Sequence, residues 1–291
     1  MWSATACRRF VTLNLTIQLR RNKATAGRRT PNVDLRMADI AANEVHVWRA
    51  SLDLMPTTVE RLRRLLSHDE LARALRFHFE RDRQHFIVAR GCLRTILSCY
   101  LKTPPAEIEF IYGVNGKPQL ADSCQQVQPL YFNLAHSAGL ALYAFTRIGE
   151  LGVDLELIRT DFTGDDIANR FFSPGEVACL NALSAELRHE AFFNCWTRKE
   201  AFIKATGSGL SLPLDQFEVT LTPGEPARLL RTTWNEDEAS RWSIKSIDVG
   251  RRYVAAVAVA ARDWELKSWD VDNTLLEFEN NEDSAVGFEP S

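Results

Sequence analysis

The stretch AFFNCWTRKEAFIKATGSGLSLPL, residues 191–214, constrains the fold more than any other part of this chain. Phe192, Trp196 and Ile203 recur at helical spacing, which buries one apolar face and leaves Lys199, Glu200 and Lys204 around its margin. Such a helix can hold charges against a core without burying all of them. Gly207 and Gly209 stop it, Ser208 and Ser211 invite turns, and Pro213 blocks an easy restart. Upstream, GVDLE at 152–156 sets Asp154 and Glu156 two apart in a short apolar run, so on a strand they share one face. With Glu200 they would make an oxygen-rich cradle for a hard divalent cation, provided the fold brings them together. Taken by themselves, Glu200 and Lys204, four apart on one helix face, could equally form a surface ion pair.

A chain of 291 residues holds one large domain or two modest ones. Its 45% hydrophobic and 25% charged residues match an ordinary soluble protein, and a net charge of -3 gives no support for a general nucleic-acid binder. No uninterrupted apolar run approaches the roughly 20 residues needed to cross a bilayer, so no membrane partner and a cytoplasmic location are expected. The cysteines at 7, 92, 99, 124, 179 and 195 lack metal-site spacing and read as reduced, partly buried thiols. Charge is uneven: residues 1–36 carry eight Arg or Lys and one acid, Asp34, whereas the segment from Asp263 to Glu289 is acidic. The basic start resembles an organelle transit peptide, or else lies upstream of a true start at Met37; disorder is expected under either reading.

Along the chain, a strand begins near Val45, a helix covers Thr57 to Leu66, and Ser67 caps a second helix. Helical material continues to Leu101, with Arg73, Arg76, Arg83, Arg90 and Arg94 as a basic margin able to receive phosphate. Asn115 and Gly116 signal a tight turn, and YFNLAHSAGLALYAFT at 131–146 reads as two short strands, or a strand and a connector, with His136 and Ser137 at the break. Gly149 and Glu150 suit a hairpin turn into a strand over Leu151 to Leu157, which closes a first half. Ser173 and Glu176 have capping-box spacing, and Phe217 to Leu221, Trp242 to Ile247 and Tyr253 to Ala260 supply later strands. The expected fold is α+β: two similar α/β lobes forming a pseudo-dimer, 44–160 and 161–262, each a helix on a small, mainly antiparallel sheet. Residues 1–43 form an extension, and 263–291 a second, partly docked through Trp264, Trp269 and Leu275.

Three separated blocks, FNLAHS at 132–137, GVDLE at 152–156 and WTRKEAFIKATGSGLSLPL at 196–214, resemble the signature regions of 4′-phosphopantetheinyl transferases of the two-lobed, surfactin-synthetase-activating type. NGKP at 115–118 and LRFHFERDRQHFIVARGCLR at 75–94 extend the resemblance to roughly residues 45–262. It implies transfer of the phosphopantetheine arm of coenzyme A to a serine of an apo-acyl carrier protein or peptidyl carrier domain, by a monomer. It further implies Mg²⁺, with Mn²⁺ as a substitute, held by Asp154, Glu156 and Glu200. By the same resemblance Glu200 activates the serine, Lys204 stabilises the pyrophosphate, and His136, Lys117 and Arg73 lie near the phosphates and nucleotide, with Arg90 and Lys199 as further basic candidates. One departure stands out: the family pattern has Ser before the histidine, and this chain has Ala135. Loss of that hydroxyl is the best hint of the alternative, a non-catalytic regulator that binds CoA or carrier. An acidic cluster taken alone would also suit a metal-dependent nucleotide hydrolase.

Overall fold

The computed structural model describes residues 39–113, 115–161 and 164–276. The readings of the basic start and of the acidic end beyond 276 lie outside them. Strand β1 (Glu44–Ser51) leads into helices α1 (Pro56–Arg64), α2 (His68–Ala74) and α3 (Glu80–Leu101). Two hairpins follow, β2 (Phe110–Tyr112) with β3 (Pro118–Leu120) and β4 (Tyr131–Ser137) with β5 (Leu140–Thr146), and then β6 (Leu151–Leu157). Helices α4 (Asp165–Phe171), α5 (Pro174–Ala182) and α6 (Ala185–Thr206) precede β7 (Phe217–Val219) and β8 (Leu229–Thr232). The chain ends its described course with α7 (Glu238–Arg241), β9 (Ser243–Ser246), β10 (Tyr253–Val259), β11 (Glu265–Asp270) and α8 (Asn273–Leu276).

The result is a mixed α/β fold of small sheets. One sheet runs β11-β1-β5-β4, antiparallel except for the parallel β1–β11 pair; another runs β6-β10-β9 and is antiparallel throughout. Helix α3 covers the first, burying Leu93, Ile96 and Leu97 with Tyr143 and Phe145. Helix α6 covers the second, burying Phe202 and Ala205 with Ile244, Ala256 and Ala258. A third apolar cluster joins the two sheets, with Val45, Ala135 and Leu142 against Val153, Leu155 and Val257. Among the described residues, no helix is long and apolar enough to cross a membrane.

Where β4 meets β6 the sheets are stitched by side chains instead of a backbone ladder. Val153 N donates to Asn133 Oδ1 at 2.9 Å and Leu157 N to Ser137 Oγ at 3.2 Å. Alternate residues of a strand face the same way, so Asn133, Ala135 and Ser137 form one row along this seam. Strand β6 spends its ladder on β10, with Asp154 opposite Ala256 and Glu156 opposite Val254.

Several expectations change here. By strand pairing β6 belongs with β9 and β10 and not with the strands that precede it. Gly149 and Glu150 hand the chain from one sheet to the other; β5 and β6 are not paired as a hairpin. Strand β4 continues through His136 and Ser137, and the turn is made by Ala138 and Gly139, at φ of 45° and 88°. The acidic segment returns to the first sheet: β11 lies parallel to β1, Trp269 stacks on Trp48, and Arg49 forms a two-point pair with Asp270 at 2.5 and 2.8 Å. The capping box of Ser173 with Glu176 forms, and Ser67 caps its helix through a second one with Glu70. Every cysteine among the described residues is a free thiol.

Candidate functional site

Strand β6 and helix α6 cross at contact distance because residue 152 has no side chain. A Cβ there would stand 2.1 Å from Ala201 O and 2.3 Å from Ala205 N. Glycine therefore lets the strand carrying Asp154 and Glu156 lie against the helix turn carrying Glu200 and Lys204. Helix α6 ends one turn later at Gly207, whose φ of 69° suits glycine.

Asp154 is fully buried, and Lys204 Nζ donates to its Oδ1 at 2.6 Å and to Val153 O at 3.2 Å. Its other oxygen, Oδ2, is buried with no hydrogen-bond partner. Glu156 Oε2 accepts from Ser137 Oγ at 2.9 Å, across the seam. Burial, then the neighbouring Asp154 charge, pushes Glu156 up to about 8. Burial and Asp154 likewise push Glu200 up to about 7, and burial raises Asp154 despite Lys204. Desolvation and like-charge repulsion thus act together on three carboxylates that share a single ammonium. Such a cluster gains free energy by taking up protons or a cation.

Among the described residues, no three His, Cys, Asp or Glu side chains are already gathered as a metal site. The physical reason is visible in the partners: Asp154 leans to Lys204 and Glu156 to Ser137. The donor chemistry still fits a hard divalent cation, since oxygens predominate and Asp154 Oδ2 lacks a partner.

The remaining sequence candidates lie elsewhere. Lys199 is not on the helix margin but fully buried, donating to Leu214 O at 2.7 Å, Phe217 O at 2.5 Å and Glu176 Oε2 at 2.8 Å. Arg90 and Arg94 are also interior: Arg94 Nε donates to Glu70 Oε2 at 2.8 Å, while Arg90 lies between the Phe86, Phe110 and Tyr112 rings. Burial lowers the pKa of Arg90, whose Nη1 has no hydrogen-bond partner. Arg73 also lies over the Phe86 ring, 5.9 Å from its centroid. Lys117 Nζ is held by two carbonyls, Lys204 O at 2.7 Å and Leu151 O at 3.0 Å. His136 is half-buried on β4 and, by strand alternation, faces away from Ser137. Ser137 was not singled out for the acidic cluster; the two-residue period of FNLAHS was the available signal. Ala135 is 3% exposed within the apolar cluster between the sheets, so its methyl is a packing group.

Comparison with known proteins agrees with this layout. Residues 48–146 match the family model described as 4′-phosphopantetheinyl transferase, N-terminal, and residues 150–258 match that of the 4′-phosphopantetheinyl transferase superfamily. The 4′-phosphopantetheinyl transferase HetI of Nostoc sp. is 41% identical over 230 residues, covering 79% of this chain and 93% of that protein. The 4′-phosphopantetheinyl transferase Sfp of Bacillus subtilis is 31% identical over 206 residues, covering 70% and 87%. A crystal structure of Thermotoga maritima holo-[acyl-carrier-protein] synthase aligns with 38% of this chain and 62% of its own at a TM-score of 0.30 and 19% identity, too slight a likeness to add to these matches. On the strength of the two family models and the Sfp and HetI relatives, the chain belongs to the 4′-phosphopantetheinyl transferase superfamily, Sfp type, and is an enzyme of that family.

Proposed function

We propose that the protein transfers the 4′-phosphopantetheine arm of coenzyme A to a serine of an apo-acyl carrier protein or peptidyl carrier domain. The observation that carries the reading is the acidic cluster of Asp154, Glu156 and Glu200 with Lys204, at the β6–α6 crossing of a chain whose relatives are named for this transfer. The serine oxygen attacks the phosphorus bearing the pantetheine arm. The bond from that phosphorus to the bridging oxygen breaks, and adenosine 3′,5′-bisphosphate departs with that oxygen. Glu200 takes the serine proton on a carboxylate oxygen, a task suited to a group poised near neutrality. Lys204 offers its ammonium to the pyrophosphate, exchanging one anionic partner for another. Asp154, Glu156 and Glu200 would hold Mg²⁺, or Mn²⁺ in its place, and the bound ion would supply charge compensation for the pyrophosphate oxygens. Arg73 and His136 remain candidates for the nucleotide phosphates, whereas the interior positions of Arg90 and Lys199 favour structural roles.

Two lobes divided ahead of Leu151, one under α3 and one under α6, follow from the same reading, with CoA between them and the enzyme acting as a cytoplasmic monomer. Ala135 gives the regulator alternative little support, because its methyl is packed in the apolar seam. The test is the intact mass of an apo-acyl carrier protein and an apo-peptidyl carrier domain after incubation with enzyme, CoA and Mg²⁺. Gain of one phosphopantetheinyl group, blocked by chelation and absent from the serine-to-alanine carrier, is the expected result. A folded, CoA-binding protein that modifies no carrier in a broad panel would overturn it.

A further inference from the structure

We propose that Lys117 is a positioning residue that fastens the last turn of α6 to the start of β6, and not a ligand for the phosphates of CoA. The proposal rests on the reading of Asp154, Glu156, Glu200 and Lys204 as the transfer site, since β6 and α6 are the elements that carry them.

The geometry is specific. Lys117 lies at the tip of the β2–β3 hairpin, in a turn closed by Gly116 N donating to Gly113 O at 2.7 Å and Gly113 N to Lys117 O at 3.1 Å. Its Nζ donates to the backbone oxygens of Lys204 and Leu151. One acceptor is the carbonyl of the residue whose side chain holds Asp154; the other opens the strand on which Asp154 sits. A single ammonium thereby ties helix to strand beside the Gly152 crossing. The last carbonyls of a helix lack intrahelical donors and sit at the negative end of its dipole, so a cation there both satisfies and stabilises them.

A second tether from the same turn supports the role. Asn115 Nδ2 donates to Gly207 O at 2.8 Å, just past the end of α6. A Cβ on Gly209 would come within 2.9 Å of Asn115 Cγ, so the glycine loop after α6 is shaped to receive this hairpin. The ammonium has accepted a partly buried place: burial lowers Lys117 to about 8, Lys204 adds repulsion, and Glu150 opposes both.

The experiment uses the full chain with Lys117→Met and, separately, Asn115→Ala. Hydrogen exchange read by mass spectrometry, without CoA or carrier, reports on the last turn of α6. Calorimetric titration gives the CoA dissociation constant, and the carrier mass assay gives kcat. Lys117→Met is expected to speed exchange at the end of α6 and to lower kcat on the order of ten- to hundredfold, as misplacement of reacting groups does, while the CoA dissociation constant moves less than about threefold. Asn115→Ala is expected to give the same pattern more weakly, and it keeps the test intact should the methionine variant not fold. A large loss of CoA affinity with kcat retained would make Lys117 a ligand and overturn the proposal. Unchanged exchange in both variants would overturn it too. Because exchange is read without substrates, a wild-type enzyme that modifies no carrier would count against the transfer reading and leave the tether standing.

Discussion

The acidic cluster should make the metal-free protein lose stability as pH rises through neutrality, the reverse of what paired carboxylates produce. Glu156 and Glu200 titrate at about 8 and about 7 in the folded chain, against an ordinary 4.5. Between those values the folded state holds protons that the unfolded chain has released, so stability is greatest at the acid end and declines as pH climbs to 8. At about 1.4 kcal/mol for each pH unit of difference, Glu156 alone would cost roughly 5 kcal/mol and Glu200 roughly 3. The two repel each other and Asp154, so they titrate together and the combined loss is smaller than that sum, on the order of 3–6 kcal/mol. For a chain of this size that corresponds to a fall in Tm on the order of 10 °C.

The assay is thermal unfolding of chelator-treated protein between pH 5.5 and 8.5, with and without Mg²⁺, beside the Glu156→Gln variant. On the proposed reading Mg²⁺ would bind the deprotonated cluster and should restore stability most at high pH, by about 2.7 kcal/mol at a hundredfold excess over its dissociation constant. Glu156→Gln should flatten the metal-free slope, because the group that must ionise is gone. A metal-free protein as stable at pH 8 as at pH 6, with no change of slope in the variant, would refute the argument. The carboxylates would then be solvated well enough to ionise freely.

Glu200→Gln keeps the shape of α6 and should reduce carrier modification by on the order of a hundredfold or more at saturating CoA, measured by intact mass, with Tm retained or raised. Gly152→Ala places a methyl into Ala201 O and Ala205 N and should destabilise by at least about 1–3 kcal/mol in thermal unfolding, with transfer falling as the β6–α6 crossing opens. Ala135→Ser places a hydroxyl in the apolar seam; carrier-mass kinetics should show an unchanged KM for CoA, and a several-fold lower KM would show that the missing serine had been a ligand.

The outline of the site was legible because its members fall on single elements with fixed periods. Asp154 and Glu156 share a strand face, Glu200 and Lys204 share a helix face, and the two glycines after Thr206 mark the end of that helix. What was not legible depended on partners distant in sequence. Periodicity places Lys199 at the helix margin, but Glu176 Oε2 and the carbonyls of Leu214 and Phe217 draw it into the core. Arg94 falls in the basic margin by sequence, yet it is drawn inward in the same way: its carboxylate partner, Glu70, is itself turned inward by the capping box at Ser67. Strand β11 is rich in charge and lies beyond the family blocks. Only the structure shows its tryptophan stacked on Trp48 and its lysine paired with Glu44 along a parallel edge.

The same distinction bears on how the site is held. The carboxylates and Lys204 all stand on β6 and α6, yet the groups that steady them come from the other half. Asn133 and Ser137 accept backbone N–H groups of β6, Ser137 also donates to Glu156, and Lys117 joins β6 to α6. A backbone ladder between β4 and β6 would fix their spacing through many bonds at once; a few side-chain bonds fix it only as long as each is made. Loss of Ser137 or Lys117 can therefore move the acids relative to one another without unfolding either sheet. The dependence is one-directional: both residues lie outside the paired strands of the second sheet, so that sheet can keep its ladder while the cluster it carries loses its alignment.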